Sequence, residues 1–191
     1  MSLHGSTLLL SIALLVVLAF ALGAALGSTG ISATGFAILP GAHCINGSAQ
    51  AIISPGSADA LIGALGSAQE TIDVQMYVFT AGELKKALAD AVRRGVRVRV
   101  ILEPRIDSNL ATASELRASG VEVRWASMSF ANTHSKLAII DNRKVLVGSI
   151  NWSKHALYEN REAELLVEDW KIAREFAAVF EQDWLAASAG G

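Results

Sequence analysis

Residues 134–162 read HSKLAIIDNRKVLVGSINWSKHALYENRE, and this stretch decides the fold. Two apolar runs, residues 137–140 and residues 145–147, flank the polar tripeptide Asp-Asn-Arg. A short polar turn between two apolar runs is typical of a β-hairpin. Because a hairpin folds back on itself, the start of its first strand and the end of its second strand should lie at one end of a sheet.

Polar residues occur at both of those points. His134 and Lys136 are two positions apart at the start of the first strand, so their side chains should leave on the same face. Gly148, Ser149 and Asn151 follow the second strand. Each feature alone is ordinary, because a single His or Lys at a strand end is usually structural or solvated, and Gly-Ser-x-Asn is a common turn. Their joint spacing predicts an imidazole, a cation, a hydroxyl and an amide around one small volume.

Outward from the hairpin, strand-like and helix-like patterns alternate. The sequence predicts further strands at residues 50–53, 71–79, 96–102, 121–125 and 165–167. It predicts helices that begin at Ser57, at Thr80 in a capping box with Glu83, and at Ser108 or Asn109. The second and third of these should end at Gly95 and Gly120, and a last helix should cover residues 170–184. The pattern predicts the α/β class, with a mixed β-sheet flanked by helices.

The N-terminal part has a different composition. Residues 8–26 form an unbroken apolar run, LLLSIALLVVLAFALGAAL, which as a helix of about 28 Å is long enough to cross a bilayer. We expect residues 1–27 to be a signal peptide or a transmembrane anchor, residues 28–49 a linker, and residues 50–188 a single catalytic domain. Both N-terminal alternatives place the protein in a membrane or in a secreted or periplasmic location, with the domain on the non-cytoplasmic side.

Composition excludes several function classes. The net charge is −2, so no overall basic field attracts a polyanion, and nucleic-acid binding would need a local patch. The single cysteine, Cys44, excludes an intrachain disulfide and a multi-cysteine metal site. No Asp, Glu or His spacing is typical of a metal site, so we expect neither a metal nor another cofactor.

The motif H-x-K-x4-D at residues 134–141, followed by G-S-x-N at residues 148–151, resembles the phospholipase D superfamily. Residues 54–80, SPGSADALIGALGSAQETIDVQMYVFT, and residues 88–104, LADAVRRGVRVRVILEP, are similar to the opening strands and helix of that family. The similarity is to its short single-motif branch, which contains small bacterial secreted nucleases and the mitochondrial cardiolipin hydrolase/Zucchini group. It implies a phospholipase D-like fold and a metal-independent phosphodiesterase. Because a second motif is absent, it also implies a homodimer with one shared site.

The resemblance also implies roles for individual residues. His134 of one chain would attack phosphorus and form a phosphohistidine, and His134 of the other chain would act as acid and then as base. Lys136, Ser149 and Asn151 would hold the phosphate oxygens. Glu162 matches the downstream acid that hydrogen-bonds the histidine, although it has acidic neighbours of the same kind. Asp141 completes the catalytic motif, but its opposite strand parity predicts a supporting role.

We expect an endonuclease that acts on DNA or RNA, with a phospholipase D or cardiolipin hydrolase that acts on membrane phospholipid as the alternative. Nucleic acid is favoured by the similarity to small nucleases and by local basic residues: Lys85, Lys86, Arg93, Arg94, Arg97, Arg99, Arg143, Lys144 and Lys154. The first six of these are better explained as a solvated helix face and the polar side of a strand. A membrane phospholipid is favoured by the apolar segment, which would hold the site near lipid. A third, remote alternative is an inactive membrane-tethered interaction module, against which the intact motif argues.

Overall fold

The computed structural model describes residues 47–190. Seven strands occupy Ser48–Ile53 (β1), Thr71–Met76 (β2), Arg97–Leu102 (β3), Glu122–Trp125 (β4), Lys136–Ile140 (β5), Lys144–Gly148 (β6) and Ala163–Glu168 (β7). Five helices occupy Ala58–Gly66 (α1), Gly82–Arg93 (α2), Ser108–Ala118 (α3), Lys154–Tyr158 (α4) and Trp170–Ala186 (α5). The predicted apolar segment lies outside the described residues. Within residues 47–190, no helix has both the length and the apolar character needed to span a bilayer.

All seven strands form one mixed sheet in the order β1-β7-β6-β5-β2-β3-β4. Strands β2, β3 and β4 are parallel to one another, and α2 and α3 connect them. The other neighbouring strands are antiparallel, including the hairpin of β5 and β6. The predicted α/β class with a mixed sheet is therefore confirmed.

Both faces of the sheet are covered. The larger core lies on the side of α1, α2 and α3, where Val74, Leu88 and Leu116 are buried. On the other side of the sheet, α5 packs apolar residues that include Phe180 and Trp184 against β3, β5 and β6. Because both faces are covered, the central strands are buried along nearly their whole length.

The predicted helix caps are only partly right. Helix α1 follows Ser57 as predicted, but the Ser57 hydroxyl is buried and makes no capping bond. The capping box is wrong, because Ala81 is the N-cap of α2. The backbone N–H groups of Thr80 and Ala81 donate instead to the carbonyl of Trp152, at 2.7 and 2.9 Å. This contact ties the end of the β2 segment to the loop after β6.

Two further details bear on the site. The hairpin turn has positive φ at Asp141 (53°) and Asn142 (52°), the conformation of a type I′ turn. The short helix α4 was not predicted from the sequence. It is capped by Ser153, whose hydroxyl accepts from the Ala156 N–H. A five-residue helix has too few positions to show a helical period, so only its capping serine could have indicated it.

Candidate active site

The predicted site residues other than Asp141 lie at one end of the sheet. Lys136, the first residue of β5, pairs with Met76, the last residue of β2. The pairing of Leu137 with Val147 places Lys136 opposite Gly148, the last residue of β6. His134 lies just before β5 and Ser149 just after β6, so the hairpin brings the two halves of the motif together.

His134 is exposed, and the loop that carries it is held in place by hydrogen bonds to a buried carboxylate. The N–H of Thr133, its neighbour, donates to the fully buried carboxylate of Glu103 at 2.6 Å. Arg105 donates to the same carboxylate at 2.6 Å and to the carbonyl of Phe130 at 2.9 Å. Burial alone would raise the pKa of Glu103, but the bonds from Thr133 and Arg105 lower it. An ionised Glu103 therefore holds the backbone that positions His134.

Lys136 is buried against His134. Its side chain is only 6% exposed, and Nζ lies 2.8 Å from the His134 carbonyl, 2.9 Å from Nδ1 and 3.2 Å from Nε2. The ammonium also lies 4.9 Å from the ring centroid of Tyr77, which contacts the His134 ring at 4.2 Å. Burial lowers the pKa of Lys136, and the charges of Glu162 and Glu164 partly oppose this. Within residues 47–190, Lys136 forms no ion pair with a carboxylate.

The remaining predicted residues lie at the end of β6. Ser149 Oγ donates to Glu162 Oε2 at 2.5 Å, and Asn160 Nδ2 donates to Glu162 Oε1 at 3.1 Å. The carboxylate of Glu162 is thus held by Ser149 and Asn160, and its charge faces Lys136. The side-chain oxygen of Asn151 is buried and has no partner among the described residues.

Glu164 is a site residue that sequence reasoning did not single out. It is 4% exposed, and its Oε2 accepts from the Ile150 N–H at 3.3 Å. Its other oxygen, Oε1, is buried without a partner in the described part of the chain. Burial raises the pKa of Glu164 to about 8. Its sequence neighbourhood contains several glutamates, so only the strand register distinguishes Glu164 from a surface carboxylate.

Comparison with known proteins places this arrangement in a family. A family model described as cardiolipin synthase, PLD-like domain, matches residues 61–184. The chain belongs to this phospholipase D-like family. The crystal structure of the phospholipase D family member Nuc from Salmonella typhimurium superimposes with a TM-score of 0.69 at 32% identity, covering 73% of this chain and 95% of Nuc.

Two curated relatives are also similar to this chain. Mouse mitochondrial cardiolipin hydrolase is 33% identical over 132 residues, which are 69% of this chain and 59% of that protein. A phospholipase D of Rickettsia felis is 32% identical over 119 residues, which are 62% of this chain and 57% of that protein. The chain thus spans less than two thirds of the length of these relatives.

Asp141 lies at the far end of β5 of the phospholipase D-like domain. Its carboxylate accepts from the backbone N–H groups of Gln69, Glu70 and Thr71 at 2.9, 2.8 and 2.9 Å. Burial would raise the pKa of Asp141, but these three bonds and the charge of Lys144 lower it. Asp141 therefore anchors the loop before β2 from the end of β5 opposite to Lys136, a geometry that supports a structural role.

The basic residues around α2 and β3 do not form a free patch. Lys85 pairs with Glu115, and Lys86 and Arg93 both pair with Asp90. The expectation that Arg99 lies on a solvated side of β3 is wrong, because α5 covers that face and Arg99 is only 4% exposed. Within residues 47–190, no group of three His, Cys, Asp or Glu side chains could hold a metal ion.

Proposed function

We propose that this phospholipase D-like domain hydrolyses phosphodiesters through a phosphohistidine on His134, at a site completed by a second copy of the chain. The observation that carries the proposal is the buried ammonium of Lys136. It lies against the His134 ring without a carboxylate partner among the described residues, so its positive charge is available to an anion. A desolvated cation is suited to binding a phosphate, and the exposed imidazole beside it is suited to attacking the bound phosphorus.

The nucleophile is the His134 imidazole. Lys136 Nζ lies 2.9 Å from Nδ1 and 3.2 Å from Nε2, so the ammonium is held against the ring that would attack. The ring nitrogen attacks phosphorus, a P–N bond forms, and the bond from phosphorus to the leaving oxygen breaks. Lys136, with the amide of Asn151 and the hydroxyl of Ser149, stabilises the charge that grows on the phosphate oxygens.

The same reaction needs a second ionisable group. The leaving oxygen must take a proton, and the water that later breaks the P–N bond must lose one. The chain has four histidines, and in its described part the other histidine is His155, which is exposed on α4 and faces Glu159 at 3.6 Å. We therefore assign both proton transfers to His134 of a second copy, related by a two-fold axis.

Nucleic acid is the first candidate substrate. The match covers nearly the whole length of Nuc, which supports assignment of this chain to the short single-motif branch. The sequence resembles the small bacterial nucleases of that branch. The local basic charge is weaker support than the sequence indicated, because Lys85, Lys86, Arg93 and Arg99 are ion-paired. Lys154 and Arg161, which flank α4 at the site end, remain exposed cations.

A membrane phospholipid is the second candidate, and a specific surface favours it. Leu110, Met128 and Phe130 expose 58%, 66% and 39% of their surface. The last two lie in the loop of residues 126–135 that also carries His134. Apolar side chains beside the nucleophile could contact acyl chains, and the expected N-terminal segment would place the domain at a membrane. The relatives named as cardiolipin hydrolases fit this candidate.

The deciding experiment offers the purified full chain single-stranded nucleic acid and phospholipid vesicles side by side, in excess chelator. We expect turnover of one substrate without added metal, and at least a thousandfold loss in His134→Ala, because removal of a nucleophile commonly costs about that much or more. Light scattering in detergent should give the mass of a dimer.

The control for His134→Ala is His155→Ala, which removes the other histidine of the described part and should leave turnover intact. Activity in a strict monomer would refute the shared site, and activity that depends on a restored divalent ion would refute the metal-free mechanism. Absence of turnover of any diester would favour the inactive interaction module.

A further inference from the structure

Two ionisable residues share one row across the sheet. Lys136 of β5 lies opposite Gly148 of β6, and Gly148 pairs with Glu164 of β7. Residues that are directly paired on neighbouring strands point to the same face. The row continues through apolar residues on both sides, Met76 beyond Lys136 and Ile52 beyond Glu164, both of which belong to the larger core. Lys136 and Glu164 are therefore the two charges of an otherwise apolar row.

The Glu164 carboxyl group lies over Gly148, in the space that a side chain at position 148 would need. A Cβ at this position would lie 2.3 Å from the Ala163 carbonyl oxygen and 2.7 Å from Glu164 Oε2, so no other residue fits there without a shift. Adjacent strands are about 4.8 Å apart, which puts β5 and β7 roughly 10 Å apart. The long stems of a lysine and a glutamate can span that gap over a glycine, and the two groups interact electrostatically.

The surroundings of Glu164 favour its uncharged form. Its carboxyl group receives one long hydrogen bond, from the Ile150 N–H at 3.3 Å, and its second oxygen is buried without a partner in the described residues. A buried carboxylate with so few donors is costly, and a carboxylic acid in the same place costs less because it carries no charge. Burial accordingly raises the pKa of Glu164 to about 8, although the charge of Lys136 acts in the opposite direction.

We propose that Glu164 is a proton-carrying positioning residue that controls how much of the Lys136 charge is free to bind the phosphate of the substrate. When neutral, Glu164 holds the Ile150 N–H at the end of β6 and leaves the ammonium to the phosphate. When ionised, it attracts the ammonium and competes with the phosphate. The role of the phosphate rests on the proposed function, whereas the coupling of Glu164 to Lys136 does not.

Other groups face this pair from the neighbouring elements. Glu162, before β7, interacts with both Lys136 and Glu164, and its charge disfavours ionisation of Glu164. His134, before β5, contacts the Lys136 ammonium. From β1, the residue paired with Glu164 is Ile52, which is apolar. Ionisation of Glu164 is thus opposed by Glu162 and by burial and is favoured by Lys136.

The test measures sulfate binding by the full chain in detergent, for wild type and Glu164→Gln, from pH 6 to pH 9.5. Sulfate keeps its charge over this range, so a change in the ratio of the two affinities with pH reports on the protein. The glutamine can still accept from the Ile150 N–H but cannot ionise. We expect the affinity of Glu164→Gln relative to wild type to rise about tenfold through pH 8, because only the wild-type carboxyl group ionises there and competes for the ammonium.

The matched control is Glu168→Gln, which removes an exposed carboxylate at the other end of β7 and should give a flat ratio. A flat ratio for Glu164→Gln would overturn the proposal. Carbon-13 NMR of the Glu164 carboxyl is the second measurement, and its titration midpoint should move up in Lys136→Met because the favourable cation is lost. An unchanged midpoint would also overturn it. If these readouts hold but no diester is hydrolysed, the proposed function fails and the coupling stands.

Discussion

Two cations are buried in this sheet, and their surroundings differ. Arg99, under α5, is bonded to both carboxylate oxygens of Asp73 at 2.7 and 2.9 Å, and Glu181 accepts from it as well. The Phe180 and Trp184 rings lie 5.0 and 5.2 Å from its guanidinium. Lys136, at the site, has an imidazole and a carbonyl as partners and no carboxylate in ion-pair contact within residues 47–190.

The comparison separates a cation that stabilises the fold from a cation that lacks a charged partner and is suited to binding a ligand. A buried charge is stable when opposite charges and hydrogen bonds replace its lost water, and Arg99 meets this condition twice over. Lys136 does not, and burial lowers its pKa, which shows the cost of holding an ammonium there. A phosphate would supply the missing negative charge. Under the proposed function, the substrate phosphate supplies the charged partner that Lys136 lacks.

The largest effect expected from comparing the two cations is on turnover, when Lys136 is replaced by methionine. Methionine keeps most of the apolar stem but removes the ammonium, so kcat/KM should fall at least about a hundredfold, as for loss of one transition-state donor. The melting temperature should stay the same or rise, because a poorly compensated buried charge is removed. Steady-state kinetics and thermal denaturation check the two parts. A destabilised Lys136→Met protein would mean that Lys136 is structural like Arg99.

The reverse result is expected for Arg99→Met. Removing the guanidinium leaves Asp73 buried without its main partner, so the free energy of unfolding should fall by about 3–5 kcal/mol. Turnover per folded molecule should change little, because Arg99 lies on the face covered by α5, away from the Lys136 row. Denaturant unfolding gives the stability.

Arg97→Met is the matched control for Arg99→Met, since Arg97 is exposed on the same strand. Its replacement should cost less than about 0.5 kcal/mol, as is usual at the surface. Equal decreases in the free energy of unfolding at both positions would show that the buried network around Arg99 does not stabilise the fold more than a surface residue does. The contrast between Arg99 and Lys136 would then be refuted.

The sequence was sufficient for features that depend on local pattern. The hairpin of β5 and β6 and the mixed sheet were predicted and are confirmed, because they follow from apolar runs and a type I′ turn. The structure also brings the Lys136 ammonium against His134, although His134 lies just before β5 and not within the strand as expected.

The features that escaped prediction depend on partners distant in sequence. Arg99 alternates like a solvated residue, and only the packing of α5 shows that it is buried. Glu164 lies among other glutamates, and its role follows from its register with Gly148. The capping box failed because Trp152 supplies the carbonyl for the Thr80 N–H. In each case the deciding contact joins elements that local sequence pattern does not connect.

The smallest expected effect concerns Asp141, a compensated charge at the opposite end of the strand that Lys136 begins. Asp141→Asn should lower the free energy of unfolding by about 1–2 kcal/mol at pH 7, because the three N–H groups donate to both carboxylate oxygens, whereas asparagine has one uncharged amide oxygen to accept them. The folded-state pKa of Asp141 lies below its ordinary value of 3.8. Its stabilisation is therefore present above about pH 4 and is lost as the pH falls through the folded-state pKa.

Denaturant unfolding at pH 7 and at pH 3 tests this, with Asp59→Asn as a control at an exposed aspartate in the first turn of α1. The difference between wild type and Asp141→Asn should shrink at the lower pH, and the control should show a smaller difference at both. Turnover at pH 7 should persist in folded Asp141→Asn. If turnover instead collapsed with stability unchanged, Asp141 would be a functional charge like Lys136. One end of β5 would then not be structural and the other functional, as Arg99 and Lys136 are.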